Sequence, residues 1–301
     1  RTVDWGLGFT YLWLGKLEEA LSHLNKMVNF YDPDVHGEFR QSYGTDAGVA
    51  SRLWSSWALW LLGYPEQALH RGQQAVELSN ILEDPANQMI ALDITAYLHC
   101  FIGENKTISD LMGSFEKLLE KGPSPIACAD FEFLKGMCYL KKDALKMAIT
   151  QMSKGIESFQ ACGTRSQLSL RKAILADAYI KNGQLDQAAQ VIEETQDLIT
   201  ELDERFYQAE VLRLKGEMFL ADGEPQEAEA CFLEALTIAE GQCAKTLELR
   251  AAVSLARLWA REGRFREAYE VLAEVYSWFT EGFNTPDLQE AQALLNSLLV
   301  K

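Results

Sequence analysis

One short phrase returns at a fixed interval along this chain of 301 residues, and it constrains the fold more than any other feature. The phrase reads AYIKNGQLDQAA at 178–189, MFLADGEPQEAE at 218–229 and LWAREGRFREAY at 258–269. Earlier copies begin at residues 10, 58, 98 and 138, so the first gap is 48 residues and every later gap is 40. A fixed period of this length predicts an array of similar structural units.

Each copy of the phrase has the composition of a turn between two helices. Six of its seven hinge positions are glycine, which ends a helix by adopting a left-handed conformation at little cost. The hinges are Gly15, Gly63, Gly103, Asp143, Gly183, Gly223 and Gly263. Apolar residues recur at spacings of three and four on both sides, as in an amphipathic helix. The sequence therefore predicts an all-α solenoid of seven helical hairpins with a period of about 40 residues.

Two segments lie outside this period. Residues 31–48 contain Pro33 and three glycines, which predict a long loop or a broken helix between the first two hairpins. Thr285 and Pro286 form a helix start, so we expect a C-terminal helix over 286–299 that caps the last hydrophobic face. We expect the whole chain, 1–301, to be a single solenoid domain.

The units resemble the tetratricopeptide repeat. Leu7, Gly8, Tyr11, Ala20 and Leu24 occupy the repeat's signature places in the first unit. The period is about six residues longer than the usual unit, which longer helices would explain. The resemblance implies a right-handed superhelix in which the first helix of each hairpin lines the concave side.

Longer segments resemble one kind of protein more closely. They are QSYGTDAGVAS at 41–51, ALWLLGYPEQAL at 58–69, AKTLELRAAVSLARLW at 244–259 and WFTEGFNTPDLQEAQALL at 278–295. They are similar to the C-terminal tetratricopeptide region of large bacterial signalling proteins, in which a class III adenylate/guanylate cyclase domain or a winged-helix DNA-binding domain precedes a signal-transducing P-loop ATPase. The resemblance implies a regulatory segment that binds a protein partner, the upstream domains of its own parent chain, or a small molecule.

The sequence holds none of the catalytic parts of such a parent. No phosphate-binding GxxxxGK[ST] motif is present, and no nucleophile, acid–base pair or metal-ligand spacing stands out. We therefore expect the segment itself not to be an enzyme and to need no cofactor or metal. Because the chain opens at Arg1, inside a helical pattern, we expect it to be part of a longer protein.

Charge and cysteine usage limit the partners and the compartment. The net charge is −16, from 44 acidic and 28 basic residues, which disfavours nucleic acid and anionic membranes as partners. No stretch is apolar for long enough to cross a bilayer. The six cysteines form no CxxC motif, and most of them sit among apolar residues as small buried side chains would, which suits a reducing, cytoplasmic setting.

Candidate binding residues follow from the face that the first helices would turn to the concave side. The N-terminal half offers aromatic residues, and the C-terminal half offers arginines. The candidates are Trp5, Phe9, Trp13, Trp57, Trp60, Tyr97, Phe101, Phe133, Arg213, Arg250 and Arg257. The aromatic residues could equally pack between helices or dock on an upstream domain. The arginines could hold a carboxylate or phosphate, but ion pairs with Glu210 and Glu217 are the favoured interpretation.

The histidines suggest no catalysis. His99 takes the aromatic place of the third unit, where it is expected to be packed in the core. His36, Tyr43 and Asp46 match positions of the related signalling proteins, and a hydrogen bond that fixes the loop is the favoured role. Two other functions stay open: a small-molecule sensor with a pocket lined by Trp57, Tyr97 and Phe133, and a free-standing scaffold.

Overall fold

The computed structural model describes residues 2–33, 44–103 and 105–299. These residues form fifteen α-helices and one short 3₁₀ helix, Arg205–Tyr207, and they contain no β-strand. The helices are α1 Thr2–Trp13, α2 Leu17–Phe30, α3 Ala47–Leu61, α4 Pro65–Ile81, α5 Pro85–Ile102, α6 Asn105–Lys121, α7 Pro125–Lys141, α8 Leu145–Ala161, α9 Leu168–Lys181, α10 Leu185–Leu202, α11 Gln208–Asp222, α12 Pro225–Gly241, α13 Lys245–Arg261, α14 Phe265–Tyr276 and α15 Pro286–Leu298. Helices α1 to α14 follow one another as seven successive pairs, each pair joined by one copy of the repeated phrase, and α15 comes after them; this all-helical order confirms the predicted all-α fold.

The repeated phrase forms the turn inside each hairpin. All six hinge glycines have a positive φ, and Asp143, which replaces glycine in the fourth copy, adopts a φ of 56°. The amide of the residue after the hinge donates to the carbonyl of the large residue that lies four positions before the hinge. An example is the hydrogen bond from the Gln184 amide to the Tyr179 carbonyl, at 2.9 Å. The turn thus satisfies backbone groups that the helix end would leave without partners.

A small residue seven positions before the hinge lets the two helices of a hairpin touch. A Cβ atom added at Gly8 would lie 2.6 Å from Leu24 Cγ, and one added at Gly136 would lie 2.4 Å from Met152 Cγ. At Gly216 it would lie 2.5 Å from Phe232 Cε1. Real Cβ atoms do not come this close to a neighbour, so these hairpins depend on glycine at these positions.

A second series of left-handed residues lies between hairpins. Glu83, Asp203 and Cys243 have φ values of 52°, 55° and 55°, and Gly163 has 76°. They stand 40 residues apart, or a multiple of 40, as the hinges do. Because only one of the four is glycine, composition gave no sign of this second turn.

The chain divides into two compact units. Unit 1 consists of Arg1–Trp60 and Pro65–Arg165, and unit 2 consists of Leu61–Tyr64 and Ser166–Lys301. A single domain over the whole chain therefore stays a prediction. In unit 2, Leu288 and Ala291 of α15 are buried in one cluster with Leu249 and Leu272, so this helix covers apolar surface of the last hairpin.

Only the ends of the predicted loop 31–48 lie within the described residues; His36, Tyr43 and Gly37 lie outside them. At its C-terminal end, the Asp46 carboxylate accepts the amides of Gly48 and Val49 at 2.8 and 3.1 Å, and so caps α3. The same carboxylate accepts the Tyr31 hydroxyl at 2.9 Å. The Asp46 amide donates to Asn87 Oδ1 at 2.8 Å, which ties the start of α3 to the start of α5.

Candidate functional site

The aromatic candidates all lie on first helices of hairpins, and the structure divides them by burial. Trp5, Phe9 and Trp13 of α1 are partly exposed, as is Phe101 of α5. The other four are buried: Trp57 of α3 is 3% exposed, Trp60 2%, Tyr97 of α5 1% and Phe133 of α7 0%. Whether any of them binds a partner stays a prediction.

The three rings of α1 form a continuous stripe, which we call the α1 stripe: Trp5, Phe9 and Trp13. Phe9 stacks on Trp5 with ring centroids 5.6 Å apart and on Trp13 at 4.5 Å. Their spacing of four residues places them on one side of the helix. Behind them, Trp54 of α3 meets Phe9 and Trp13 edge-on at 5.4 and 5.0 Å. Trp54 is itself buried, so the half-exposed stripe is held rigidly against the next hairpin.

Rings also fill the space between the first helices α3, α5 and α7. Trp60 stacks on Phe101 with centroids 4.7 Å apart, and Trp57 lies 6.3 Å from Tyr97. Tyr97 in turn stacks on Phe133 at 5.9 Å. The buried rings among them form part of the core of unit 1. This agrees with the alternative left open by the sequence, in which the aromatic residues pack between helices.

The arginine candidates lie in unit 2 and meet carboxylates of the chain. Arg213 binds Glu210 through two parallel hydrogen bonds, Nε–Oε2 and Nη2–Oε1, each 2.8 Å long. Its Nη1 also donates to Glu217 Oε1 at 3.2 Å. Arg250 donates from Nε to Asp287 Oδ2 at 2.9 Å and from Nη1 to Glu210 Oε1 at 3.4 Å. We call Glu210, Arg213, Glu217, Arg250 and Asp287 the charged network.

Burial and charge act against each other inside this network. Burial raises the pKa of Glu210, but Arg213 and Arg250 overcome that effect and hold its pKa at about 2. Burial lowers the pKa of Arg213, but Glu210 and Glu217 raise it above its ordinary value. Glu210, Arg213 and Arg250 are therefore ionised at neutral pH. Because the guanidinium groups already bind carboxylates, the geometry favours the ion-pair interpretation over a ligand site.

Arg257 differs from the other two arginines. Its side chain is 47% exposed, and it pairs with Glu290 of α15. Burial of part of the side chain lowers its pKa. It is the arginine candidate that a partner in solution would reach most easily.

Sequence reasoning missed three residues that complete the α1 stripe and the charged network. Trp54 supports the α1 stripe, and its spacing from Trp57 on α3 was the available signal. Ser254 donates to Glu217 Oε1 at 2.6 Å and so joins α13 to α11. Asp287 of α15 neutralises Arg250, although the two residues are 37 positions apart in the sequence.

The histidines play structural parts where they are described. His99 is buried, at 5% exposure, as expected of a core residue. The His23 ring lies 2.8 Å from the Asp4 carboxylate and joins α2 to α1. Within the described ranges, no group of three or more histidine, cysteine or acidic side chains could hold a metal ion. None of the helices described is long and apolar enough to cross a bilayer.

Comparison with family models finds tetratricopeptide repeats in the second half of the chain. Residues 167–241 match one tetratricopeptide repeat model, and residues 249–274 match another. No curated protein sequence matches the chain. The tetratricopeptide repeats that the sequence resembles are thus present in these two ranges. Stacked repeats of this kind form extended surfaces that bind other proteins.

Solved structures share the fold. A Rap protein complexed with Competence and Sporulation Factor matches with a TM-score of 0.65 and 14% identity, over 99% of this chain and 79% of that chain. The apo form of RapI matches with a TM-score of 0.53 and 12% identity, over 84% and 71%. At these identities the likeness shows the fold alone, and it identifies the chain as a tetratricopeptide-like α-solenoid.

A third neighbour is a Signal Transduction ATPase with Numerous Domains from Pyrococcus horikoshii, described as having a tetratricopeptide repeat sensor. It matches with a TM-score of 0.52 and 11% identity. The match covers 94% of this chain and 44% of that chain, so the neighbour is much longer.

Proposed function

We propose that this chain is the regulatory, protein-binding repeat region of a larger cytoplasmic signalling ATPase whose output domain is a nucleotidyl cyclase. The tetratricopeptide repeats support the protein-binding part of the proposal. The segments at 41–51 and 278–295, which resemble the repeat region of such signalling proteins, support the ATPase part. The structural neighbour with a repeat sensor is compatible with both.

The α1 stripe is the observation that carries partner binding. Trp5, Phe9 and Trp13 present three large rings that are neither fully buried nor fully exposed. Trp54 fixes them from behind, so little conformational entropy would be lost when a partner covers them. Rigid, half-exposed aromatic rings are typical of the residues that dominate protein interfaces.

The mechanism that fits this arrangement is a shift between two states of the parent. In one state the α1 stripe contacts the upstream ATPase, and in the other an external partner takes its place. A partner changes this equilibrium only to the extent that it binds one state better than the other. The buried rings Trp57, Tyr97 and Phe133 pack on each other, which favours a protein partner over a metabolite held between them.

The test mixes this segment with the separately expressed upstream part of the parent, with and without ATP. Tryptophan emission and light-scattering mass report a complex. We expect a complex with shifted emission, and we expect the triple variant Trp5→Ala, Phe9→Ala, Trp13→Ala to bind at least about tenfold more weakly. Phe283→Ala, which removes a ring 47% exposed in unit 2, is the matched control and should bind as the wild type does.

Absence of a complex in every nucleotide state would rule out docking on the upstream domains. A complex that the triple variant forms equally well would rule out the α1 stripe as the docking surface. Binding of a basic or aromatic metabolite to the isolated segment, with quenched tryptophan emission, would favour the small-molecule sensor instead.

A further inference from the structure

Two arginines of unit 1, Arg52 and Arg71, lie where the first two hairpins meet. Arg71 of α4 donates from Nη1 to Asn25 Oδ1 of α2 at 2.8 Å and to Ser55 Oγ of α3 at 3.2 Å. Ser55 is three residues after Arg52, and its hydroxyl donates to the Arg52 carbonyl oxygen at 3.0 Å. The Arg71 guanidinium is thus held against the face of α3 that carries Arg52.

Neither guanidinium forms an ion pair with a carboxylate in the part of the chain that the structure describes. Arg52 donates from Nη1 to the Gly48 carbonyl oxygen at 2.9 Å, and its guanidinium carbon lies 5.5 Å from the centre of the Tyr31 ring. The charge of Asp46 acts on Arg52, but the Asp46 oxygens accept the Tyr31 hydroxyl and two amides of α3. The two positive charges are therefore only partly compensated within the chain.

Partial burial makes these positive charges costly. Both side chains are only partly exposed. Burial and the charge of Arg52 lower the pKa of Arg71, and burial lowers the pKa of Arg52 against the effects of Tyr31 and Asp46. In unit 2, by contrast, Arg213 is paired with two carboxylates. An anion from solution that bound the arginines of unit 1 would supply the missing negative charge.

The remaining donors of the two arginines suit one kind of anion. Each guanidinium has five N–H donors in a planar fork, and within the described residues only Nη1 of Arg52 and of Arg71 donates a hydrogen bond. Such forks bind phosphate through charge-assisted hydrogen bonds of about 2.8 Å. A phosphate group has a charge of about −1.5 to −2 at pH 7 and three acceptor oxygens, so it can bind two arginines at once. A carboxylate has one charge and two oxygens, and it suits the pair less well.

We propose that Arg52 and Arg71 form a binding site for a phosphate group, either the free ion or the monoester of a small molecule. The Asn25 side chain adds a further donor, because its oxygen accepts from Arg71 and its Nδ2 group is left to donate to the phosphate. A bound phosphate would join α2 of the first hairpin to α3 and α4 of the second. This site does not depend on the proposed ATPase partner, and its test uses this chain alone.

The test measures the binding of inorganic phosphate to the whole chain by equilibrium dialysis. The ionic strength is held constant with sodium chloride, because salt screens such contacts. We expect saturable binding of one phosphate per chain. Acetate should compete at least about tenfold more weakly, because it has one charge and two oxygens. Glycerol phosphate distinguishes the two sources: it competes if the site accepts a monoester, and it fails to compete if the site accepts the free ion alone.

Variants of the two arginines identify the site. Arg52→Gln and Arg71→Gln should each weaken phosphate binding at least about tenfold, because each removes one charged fork. Arg71→Lys keeps the charge and lacks the fork, so its affinity should lie between those of the wild type and Arg71→Gln. Arg266→Gln removes an exposed arginine of unit 2 and is the matched control, which should bind phosphate as the wild type does.

Unfolding measurements separate binding from a purely structural role. Without phosphate, Arg71→Gln should unfold at or above the wild-type midpoint, because it removes a partly buried charge that has no carboxylate partner in the described residues. Phosphate should raise the wild-type midpoint more than that of Arg71→Gln, whose remaining rise is the general effect of this salt. The proposal is wrong if binding does not saturate, if acetate competes equally, or if both glutamine variants bind phosphate as the wild type does.

Discussion

The two units build the space between neighbouring first helices from opposite kinds of side chain. In unit 1, stacked rings such as Trp60 and Phe101 fill it. In unit 2, Glu210, Arg213 and Arg250 fill the corresponding region with ionised groups. The repeated phrase and its period are the same in both, so the phrase determines the hairpin and leaves the contact between hairpins to other residues. The stacked rings carry no charge, so their packing does not depend on pH, whereas the charged network depends on pH and on every partner being present.

Removing Glu210 should have the largest effect in this comparison. Glu210→Ala leaves Arg213 and Arg250 buried with too little compensating charge, so we expect unit 2 to lose about 3–5 kcal/mol of unfolding free energy. Hydrogen exchange of amides in α11 and α13 measures the loss within unit 2. Glu270→Ala, which removes an exposed carboxylate of the same unit, is the control. A loss under about 1 kcal/mol would mean that the network behaves like a surface ion pair.

Acid should weaken the same network by a somewhat smaller amount. Because the folded pKa of Glu210, about 2, lies below its unfolded value of 4.5, ionised Glu210 stabilises the fold above pH 4.5. This contribution, about 3 kcal/mol, is lost as the pH falls from 4.5 towards 2. Burial raises the pKa of Glu204, which partly offsets the loss in the wild type.

The difference between wild type and Glu210→Gln isolates the Glu210 contribution, because Glu204 is present in both. That difference in unfolding free energy should be constant near neutral pH and should shrink towards zero as the pH approaches 2. If it keeps its neutral-pH value in acid, Glu210 is not the group that titrates.

In unit 1 the corresponding change is Trp60→Leu. It removes part of a buried ring and leaves a gap beside Phe101, so we expect a loss of about 2 kcal/mol. Unlike the loss in unit 2, it should not change with salt or between neutral and mildly acidic pH. Hydrogen exchange in α3 and α5 reports it, and Phe283→Leu, at a half-exposed ring, should cost less. A strong salt dependence would show that unit 1 also relies on charge.

The smallest effect should come from an exposed ion pair of unit 2 that lies outside the charged network. Arg266 and Glu270 are four residues apart on α14, and their side chains are 89% and 59% exposed. Water and salt screen such a pair, so Arg266→Ala should leave the unfolding midpoint of unit 2 unchanged within error. A shift comparable to that of Glu210→Ala would remove the distinction between buried and exposed pairs.

Periodic features of the fold could be predicted from the sequence, and features that depend on neighbouring hairpins could not. The hinges from Gly15 to Gly263 were identified by glycine at a fixed spacing, and each has the left-handed conformation expected. The turns at Asp203 and Cys243 adopt the same conformation without glycine, so no residue type marked them. A local pattern predicts a turn only when the residue type itself allows it.

The candidate site shows the same division. Trp5 and Trp57 both lie on the predicted concave face, but Trp5 is partly exposed whereas Trp57 is 3% exposed. Their difference comes from the helices that pack beside them, and helical periodicity does not contain that information. Likewise, the pairing of Arg213 with Glu210 follows from their spacing on α11, whereas the pairing of Arg250 with Asp287 requires the position of α15.

The small residue seven positions before each hinge has a mechanical consequence. It is glycine in the hairpins that contain Gly8, Gly136 and Gly216, and it is Ser56, Ala96, Ala176 or Ala256 in the others. Backbones that approach closely make more dispersion contacts along their length and resist sliding more strongly. The hairpins therefore share one turn but differ in how closely their two helices pack. We expect a mechanical load to separate first the helices of the hairpins that carry alanine or serine at this position.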